Sequence, residues 1–188
     1  MTELRLSHLV LQTGQLAAMR DWYLAVLDAR VVYENPALCF MTFDEEHHRL
    51  ALLALPPEVL SERTPTTTGL SHSAFTFGSL AGLVAQYRVL RKAGIAPRVS
   101  IMHGMTTSLY YRDPDGNAVE LQIDNFASAD EATQYMYGPE FREDPVGPTF
   151  DAEALADAFD AGVPVAELTT RLWAAQSTQE DPFRLLMT

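Results

Sequence analysis

An internal repeat narrows the possible folds more than any other feature of this sequence. Leu70-Ser71-His72 repeats Leu6-Ser7-His8 at an offset of 64, and the same offset sets Gly78 on Gly14, Leu80 on Leu16, Ala81 on Ala17 and Tyr87 on Tyr23. Around these anchors both halves show one order of elements, as a duplicated structural unit would. In the first half, residues 4–11 alternate as a strand, and Gly14 breaks them. Leu16, Met19, Tyr23, Val26 and Leu27 then recur at helical spacing. Residues 29–34, 38–43 and 48–55 read as three further strands, with Asn35-Pro36 and Asp44-Glu45-Glu46 as turns. The second half continues its helix through residues 84–93, closed by Gly94. Strands follow over 97–101, 108–112 and 118–123, and Asp113-Pro114-Asp115-Gly116 forms the hairpin turn. The expectation is an α+β protein of two tandem βαβββ modules, residues 1–57 and 70–125, joined by a linker over 58–69.

Residues 126–188 do not repeat. They are acidic, carry the loop signals Gly138-Pro139 and Gly147-Pro148, and suggest helices over 151–161 and 165–175. Asp151 is the N-cap candidate of the first, and Gly162 stands just past its end. This stretch reads as a helical extension packed on the modules or on a second subunit, and none of its residues reads as chemical.

Charge and cysteine use exclude several functions. The net charge of −12 is the wrong sign for tracking phosphates or an anionic bilayer, so neither nucleic acid nor membrane is an expected partner. No apolar run is long enough to span a bilayer, and no leader precedes the first strand. Cys39, the single cysteine, sits between Leu38 and Phe40 and reads as a small core residue. A cytoplasmic protein is expected.

The chemistry converges on Glu120. It lies between Val119 and Leu121 in a strand that reads as buried, and a buried carboxylate must be paired, protonated or bound to a cation. The repeat places His8 and His72 at equivalent strand starts, while the counterpart of Glu120 at an offset of 64 is Pro56, which has no ligating side chain. Two imidazoles and one carboxylate, His8, His72 and Glu120, form a ligand set that suits non-haem Fe(II), and also Mn(II) or Zn(II). His48 continues an alternating apolar face with Leu50 and Leu52. Tyr110 and Tyr111 point to opposite faces of their strand.

With these residues in view, the chain resembles the vicinal oxygen chelate superfamily, and within it the small one-domain type I extradiol dioxygenases. The run YYRDPDGNAVEL, Tyr110 to Leu121, is shared across that superfamily. The resemblance covers residues 4–125 and implies a cupped, mixed eight-stranded sheet around a metal. It carries the metal triad onto His8, His72 and Glu120, the acid–base histidine onto His48 in HHRLAL, and the second-sphere pair onto His103 and Tyr110, the tyrosine lying ten residues before the glutamate. It implies Fe(II), with Mn(II) as the alternative metal, O2 as co-substrate and a small aromatic diol as substrate, opened beside its hydroxyls. The larger members carry two such module pairs; this chain carries one. A metal-dependent isomerase or lyase of the same superfamily, and a ligand-binding member without turnover, are the alternative functions. A homo-oligomer is the expected assembly.

Overall fold

The computed structural model describes residues 4–61, 64, 66–177 and 181–182; parts of the expected linker (62, 63, 65) and extension (178–180, 183–188), and residues 1–3, lie outside the described residues. The chain divides into two units, Met1–Thr64 with Asp113–Asn117, and Pro65–Arg112 with Ala118–Thr188.

The first unit runs β1 (Leu9–Thr13), α1 (Leu16–Leu27), β2 (Arg30–Asn35), β3 (Leu38–Thr42) and β4 (Leu50–Ala54). These strands form a mixed sheet of order β1-β4-β3-β2, with β1 parallel to β4 and the other pairs antiparallel. Helix α1 buries Met19, Tyr23 and Val26, one stripe at helical spacing, and packs on β3 and β4. It ends at Asp28, which adopts the left-handed conformation at φ 48°, a place that aspartate tolerates better than most residues. Cys39 is fully buried in the core, as expected.

The second unit repeats the plan with β5 (His72–Thr76), α2 (Leu80–Lys92), β6 (Val99–Met102), β7 (Thr106–Arg112) and β8 (Ala118–Asp124), in the sheet order β5-β8-β7-β6. Ser79 caps α2 by accepting from the Gly82 amide at 3.2 Å. The helix buries Leu80, Leu83, Val84, Tyr87 and Leu90, a continuous stripe, and packs on β8 of the sheet. The eight strands foreseen are therefore present, hydrogen-bonded as two sheets of four.

The extension supplies α3 (Ala129–Met136), α4 (Pro139–Glu143), α5 (Ala152–Asp160), α6 (Val165–Leu168) and α7 (Arg171–Ala174). Asp151 caps α5 as foreseen, accepting from the amides of Glu153 and Ala154. Helix α5 docks on α2, where the Tyr87 hydroxyl donates to Glu153 at 2.7 Å and Arg88 pairs with Asp157 and Asp160. Residues 148–150 run along β6, bridging Ile101 to Thr149, so the extension covers that sheet edge.

Four expectations need correction. Strand β1 starts at Leu9, not at residue 4, because the carbonyls of Leu6 and Ser7 accept from the Arg49 guanidinium instead of joining the sheet. Strand β4 starts at Leu50, so His48 sits in a loop; Asp44 gathers that loop by accepting from the Glu46 amide at 3.0 Å and from Arg49 at 2.8 Å. The helix expected over 165–175 breaks in two, since Thr169 donates back to the Val165 carbonyl and Thr170 caps a new helix at the Trp173 amide. Finally, Leu9 pairs with Leu50 while Ser73, its repeat, pairs with Val119. The counterpart of Glu120 is thus Ala51 and not Pro56, because the connections of the second module are longer.

The β7–β8 turn belongs to the first unit through Asp113, which is 5% exposed. Its Oδ1 accepts from the amides of Asp115 and Asn117 at 3.0 and 2.8 Å, and its Oδ2 from the Asn117 side chain at 2.8 Å and the Tyr23 hydroxyl at 2.9 Å. Burial holds the Asp113 carboxyl above its ordinary value despite these donors. Asp113→Ala should cost about 3 kcal/mol in denaturant unfolding, because buried donors lose their acceptor. Tyr23→Phe should then cost far less in that background than in the wild type. Fully additive losses would refute the pairing.

Candidate active site

Strand register builds the site in the second unit. Glu120 on β8 stands beside Ala74 of β5 and Tyr110 of β7, and His72 heads β5 beside Ala118, on the same sheet face. The His72 Nε2 lies 3.1 Å from Glu120 Oε2, with the imidazole 39% and the carboxylate side chain 5% exposed. Burial alone would raise the Glu120 carboxyl. Hydrogen bonds from His72 and Ser108, with the nearby charge of His72, outweigh it and hold the group below its ordinary value. The same bond to Glu120 outweighs burial at His72 and raises its imidazole. Both shifts favour the charged forms of the pair in the metal-free protein.

Tyr110 crosses edge-on to His72, their ring centroids 5.5 Å apart, and its hydroxyl lies 2.8 Å from His103 Nε2. The other ring nitrogen of His103, Nδ1, lies 2.6 Å from the Val146 carbonyl oxygen. A carbonyl can only accept, so Nδ1 carries the ring proton. Burial holds the His103 pKa below its ordinary value, which keeps the ring neutral and Nε2 open as an acceptor. The Tyr110 hydroxyl then donates to it, with the Glu120 carboxylate as a second acceptor in reach. Burial, followed by the charge of Glu120, raises Tyr110 well above its ordinary value, so the hydroxyl keeps its proton. Tyr111, on the opposite face, is 1% exposed, and among the described residues its hydroxyl has no hydrogen-bond partner.

The first unit holds the other two candidates. His8 immediately precedes β1, and its ring lies 4.3 Å from that of His48. His48 stacks on Phe40 at 4.7 Å and 14°, and its Nδ1 lies 2.5 Å from the Nδ1 of His47. Burial, then the charges of His8 and His47, hold the His48 pKa down. Phe40 pairs with Ala51 as Tyr110 pairs with Glu120, so it occupies the tyrosine's place in the repeat.

His72, Glu120, Tyr110 and His103 are thus gathered in one unit, and His8 and His48 in the other. Among the described residues, no three His, Cys, Asp or Glu side chains are grouped as metal ligands. The donor chemistry of the His72–Glu120 pair fits a divalent cation, since an anionic oxygen and an imidazole nitrogen stand side by side. Three contributors escaped sequence reading. Ser108 shares the face of Tyr110 two residues earlier, a spacing that could have flagged it. Phe40 would have followed from the correct repeat register. Val146 acts through its backbone, which leaves no mark in the sequence.

A family model described as "Glyoxalase/Bleomycin resistance protein/Dioxygenase superfamily" matches residues 5–121. The chain belongs to that superfamily. It is 59% identical over 184 residues to "Biphenyl-2,3-diol 1,2-dioxygenase 3" of Rhodococcus globerulus, covering 98% of this chain and 97% of the relative. Identity is 54% over 178 residues to "Biphenyl-2,3-diol 1,2-dioxygenase 2" of the same organism, covering 95% and 93%. Among solved structures, a glyoxylase/bleomycin resistance protein/dioxygenase domain from Frankia sp. EAN1pec shares the fold, with a TM-score of 0.54 and 22% identity over 65% of this chain and 99% of that one.

The His72–Glu120 pair predicts a pH window for the metal-free protein. Glu120's folded pKa is lowered from 4.5, so its contribution is complete above that value and is lost as pH falls through the folded pKa. His72's is raised from 6.5, so its contribution is complete below that value and is lost as pH rises through the folded pKa. Stability lost in Glu120→Gln, followed by thermal melting, should therefore be largest between pH 4.5 and 6.5 and shrink on either side. A pH-independent loss would show that the two groups are not coupled.

Proposed function

We propose that this chain is an Fe(II)-dependent extradiol dioxygenase that opens a catechol, one bearing an aryl substituent, beside its two hydroxyls. The observation that carries this reading is identity of 59% and 54%, over nearly the full chain, to two biphenyl-2,3-diol 1,2-dioxygenases. The chain is a ring-cleaving dioxygenase; the metal and the ring substituent are the proposed part. His8, His72 and Glu120 would hold the metal, as the donor chemistry of the His72–Glu120 pair supports. Bound there, the metal would supply Lewis acidity toward the diol hydroxyls.

The remaining work belongs to protein groups. Tyr110 meets the diol with a hydroxyl that keeps its proton, and donates it toward His103 Nε2. Its lone pairs then remain free to accept from a substrate hydroxyl. His48 delivers the proton that ring opening requires. Its Nδ1 is engaged by His47, which leaves Nε2 as the working nitrogen. Its lowered pKa makes the neutral ring the resting form near pH 7, ready to receive a proton from the diol and return it. Both atoms of O2 enter the product as the carbon–carbon bond next to the diol breaks.

A cytoplasmic setting belongs to this proposal, in keeping with the free, buried Cys39. Among the described residues, no helix is long and apolar enough to cross a membrane. Self-association is also part of it, since edge strand β2 exposes Val31, Val32 and Tyr33.

Anaerobic Fe(II) loading, then a catechol panel in aerated buffer, should give a yellow ring-opened product and oxygen uptake, fastest with an aryl catechol. Absence of both with every catechol would falsify the assignment, and activity only with Mn(II) would correct the metal. His48→Asn should retain metal and catechol binding but lose turnover about 10²-fold or more. Unchanged turnover would remove His48 from the mechanism.

A further inference from the structure

The extension reaches the candidate site through one carbonyl. Val146 oxygen accepts from His103 Nδ1, and His103 Nε2 accepts from Tyr110. That carbonyl sits in the loop 144–147, which follows α4. Asp144 Oδ1 accepts from the amides of Val146 and Gly147 at 3.1 and 2.9 Å and so fixes the bend of the loop. Gly147 adopts φ +89°, and a Cβ there would stand 2.1 Å from the Met102 carbonyl oxygen. The loop therefore lies directly on the end of β6, with no space between. Beyond it, the Met102 amide donates to Pro148 at 2.9 Å and the Phe150 amide to Ser100 at 3.0 Å.

One side chain joins these parts. Arg171, only 9% exposed, donates from Nε to the Met102 carbonyl at 3.4 Å, from Nη1 to the Glu140 carbonyl at 3.3 Å and from Nη2 to the Asp144 carbonyl. It thus grips both the residue before His103 and the loop that holds the His103 ring. A planar guanidinium with several fixed donors can span three carbonyls; an ammonium is a single point charge and cannot do so equally.

We infer that Arg171 is a positioning residue for the reaction: it locks loop 144–147 on β6, so that the Val146 carbonyl holds His103 protonated on Nδ1 and open at Nε2. The consequence is directional. With the ring proton on Nε2 instead, His103 would donate to the Tyr110 oxygen, and the tyrosine hydrogen would turn away from it. That hydrogen would go to the Glu120 carboxylate, the hydroxyl's other acceptor, and change the hydrogen bonding of that proposed metal ligand. The role of Arg171 in turnover rests on the proposed ring-cleaving function; its role in holding the ring does not.

The test uses the full-length, metal-free protein with 15N-labelled histidine. Wild-type His103 should show a single Nδ1-protonated tautomer. Arg171→Ala and Asp144→Ala should each give a mixture of tautomers, and Arg171→Lys should restore the wild-type signature in part. After Fe(II) loading, Arg171→Ala should lower kcat about tenfold while KM for catechol stays within about twofold, because orientation and not ground-state binding is lost. Folded alanine variants that keep the wild-type ring signature would overturn the inference, as would a changed tautomer with unchanged kcat. Should Arg171→Ala fail to fold, Asp144→Ala decides by the same criteria. A wild-type protein that cleaves no catechol would sink the proposed function, while the ring measurement would still report on Arg171.

Discussion

A carboxylate buried in the middle of a sheet sets the terms for the whole second unit. Val119 and Leu121 turn to the other face and are fully buried, and Glu120 between them is 4% exposed. An unpaired charge there would cost several kcal/mol, comparable with the entire stability of an ordinary domain. The sheet order resolves this. Placing β8 between parallel β5 and antiparallel β7 brings His72 from one side and Ser108 and Tyr110 from the other. Hydrogen bonds from His72 and Ser108 favour the ionised carboxylate, and an ionised carboxylate beside an imidazole is the raw material of a metal site. Fold and chemistry are coupled through one residue.

Much of this is legible in the sequence. Helix α1 follows its apolar stripe at both ends, the Asp113 turn forms where Asp-Pro-Asp-Gly predicts, and Asp151 caps its helix. The repeat revealed both modules because duplicated cores keep duplicated anchors. What escaped notice depended on interactions between distant residues. No local pattern announces that Arg49 will take the carbonyls of Leu6 and Ser7, so the true start of β1 and the loop position of His48 were hidden. Threonines at 169 and 170 are poor evidence of a break until their hydroxyls find backbone partners. The Val146 carbonyl could not have been found at all, since every residue has one.

The extension changes in meaning as a result. Read as sequence, it was an acidic appendage without chemistry. In the fold it covers the β6 edge, docks α5 on α2 by hydrogen bonds and ion pairs, and supplies the acceptor that orients His103. The family match ends at residue 121, whereas the two Rhodococcus relatives align along nearly the whole chain. The part outside the family's common domain is therefore shared with proteins named for diol cleavage.

Ala51 and Phe40 occupy in the first module the places of Glu120 and Tyr110 in the second. Duplication thus left one armed copy and one disarmed copy of the same strand pair. Substitutions at the two places differ in kind: a change at Ala51 alters packed volume, whereas a change at Glu120 also alters a buried charge and its hydrogen bonds. The first copy can thus be reshaped by small steps in volume, while in the second any step that unpairs the buried charge is costly.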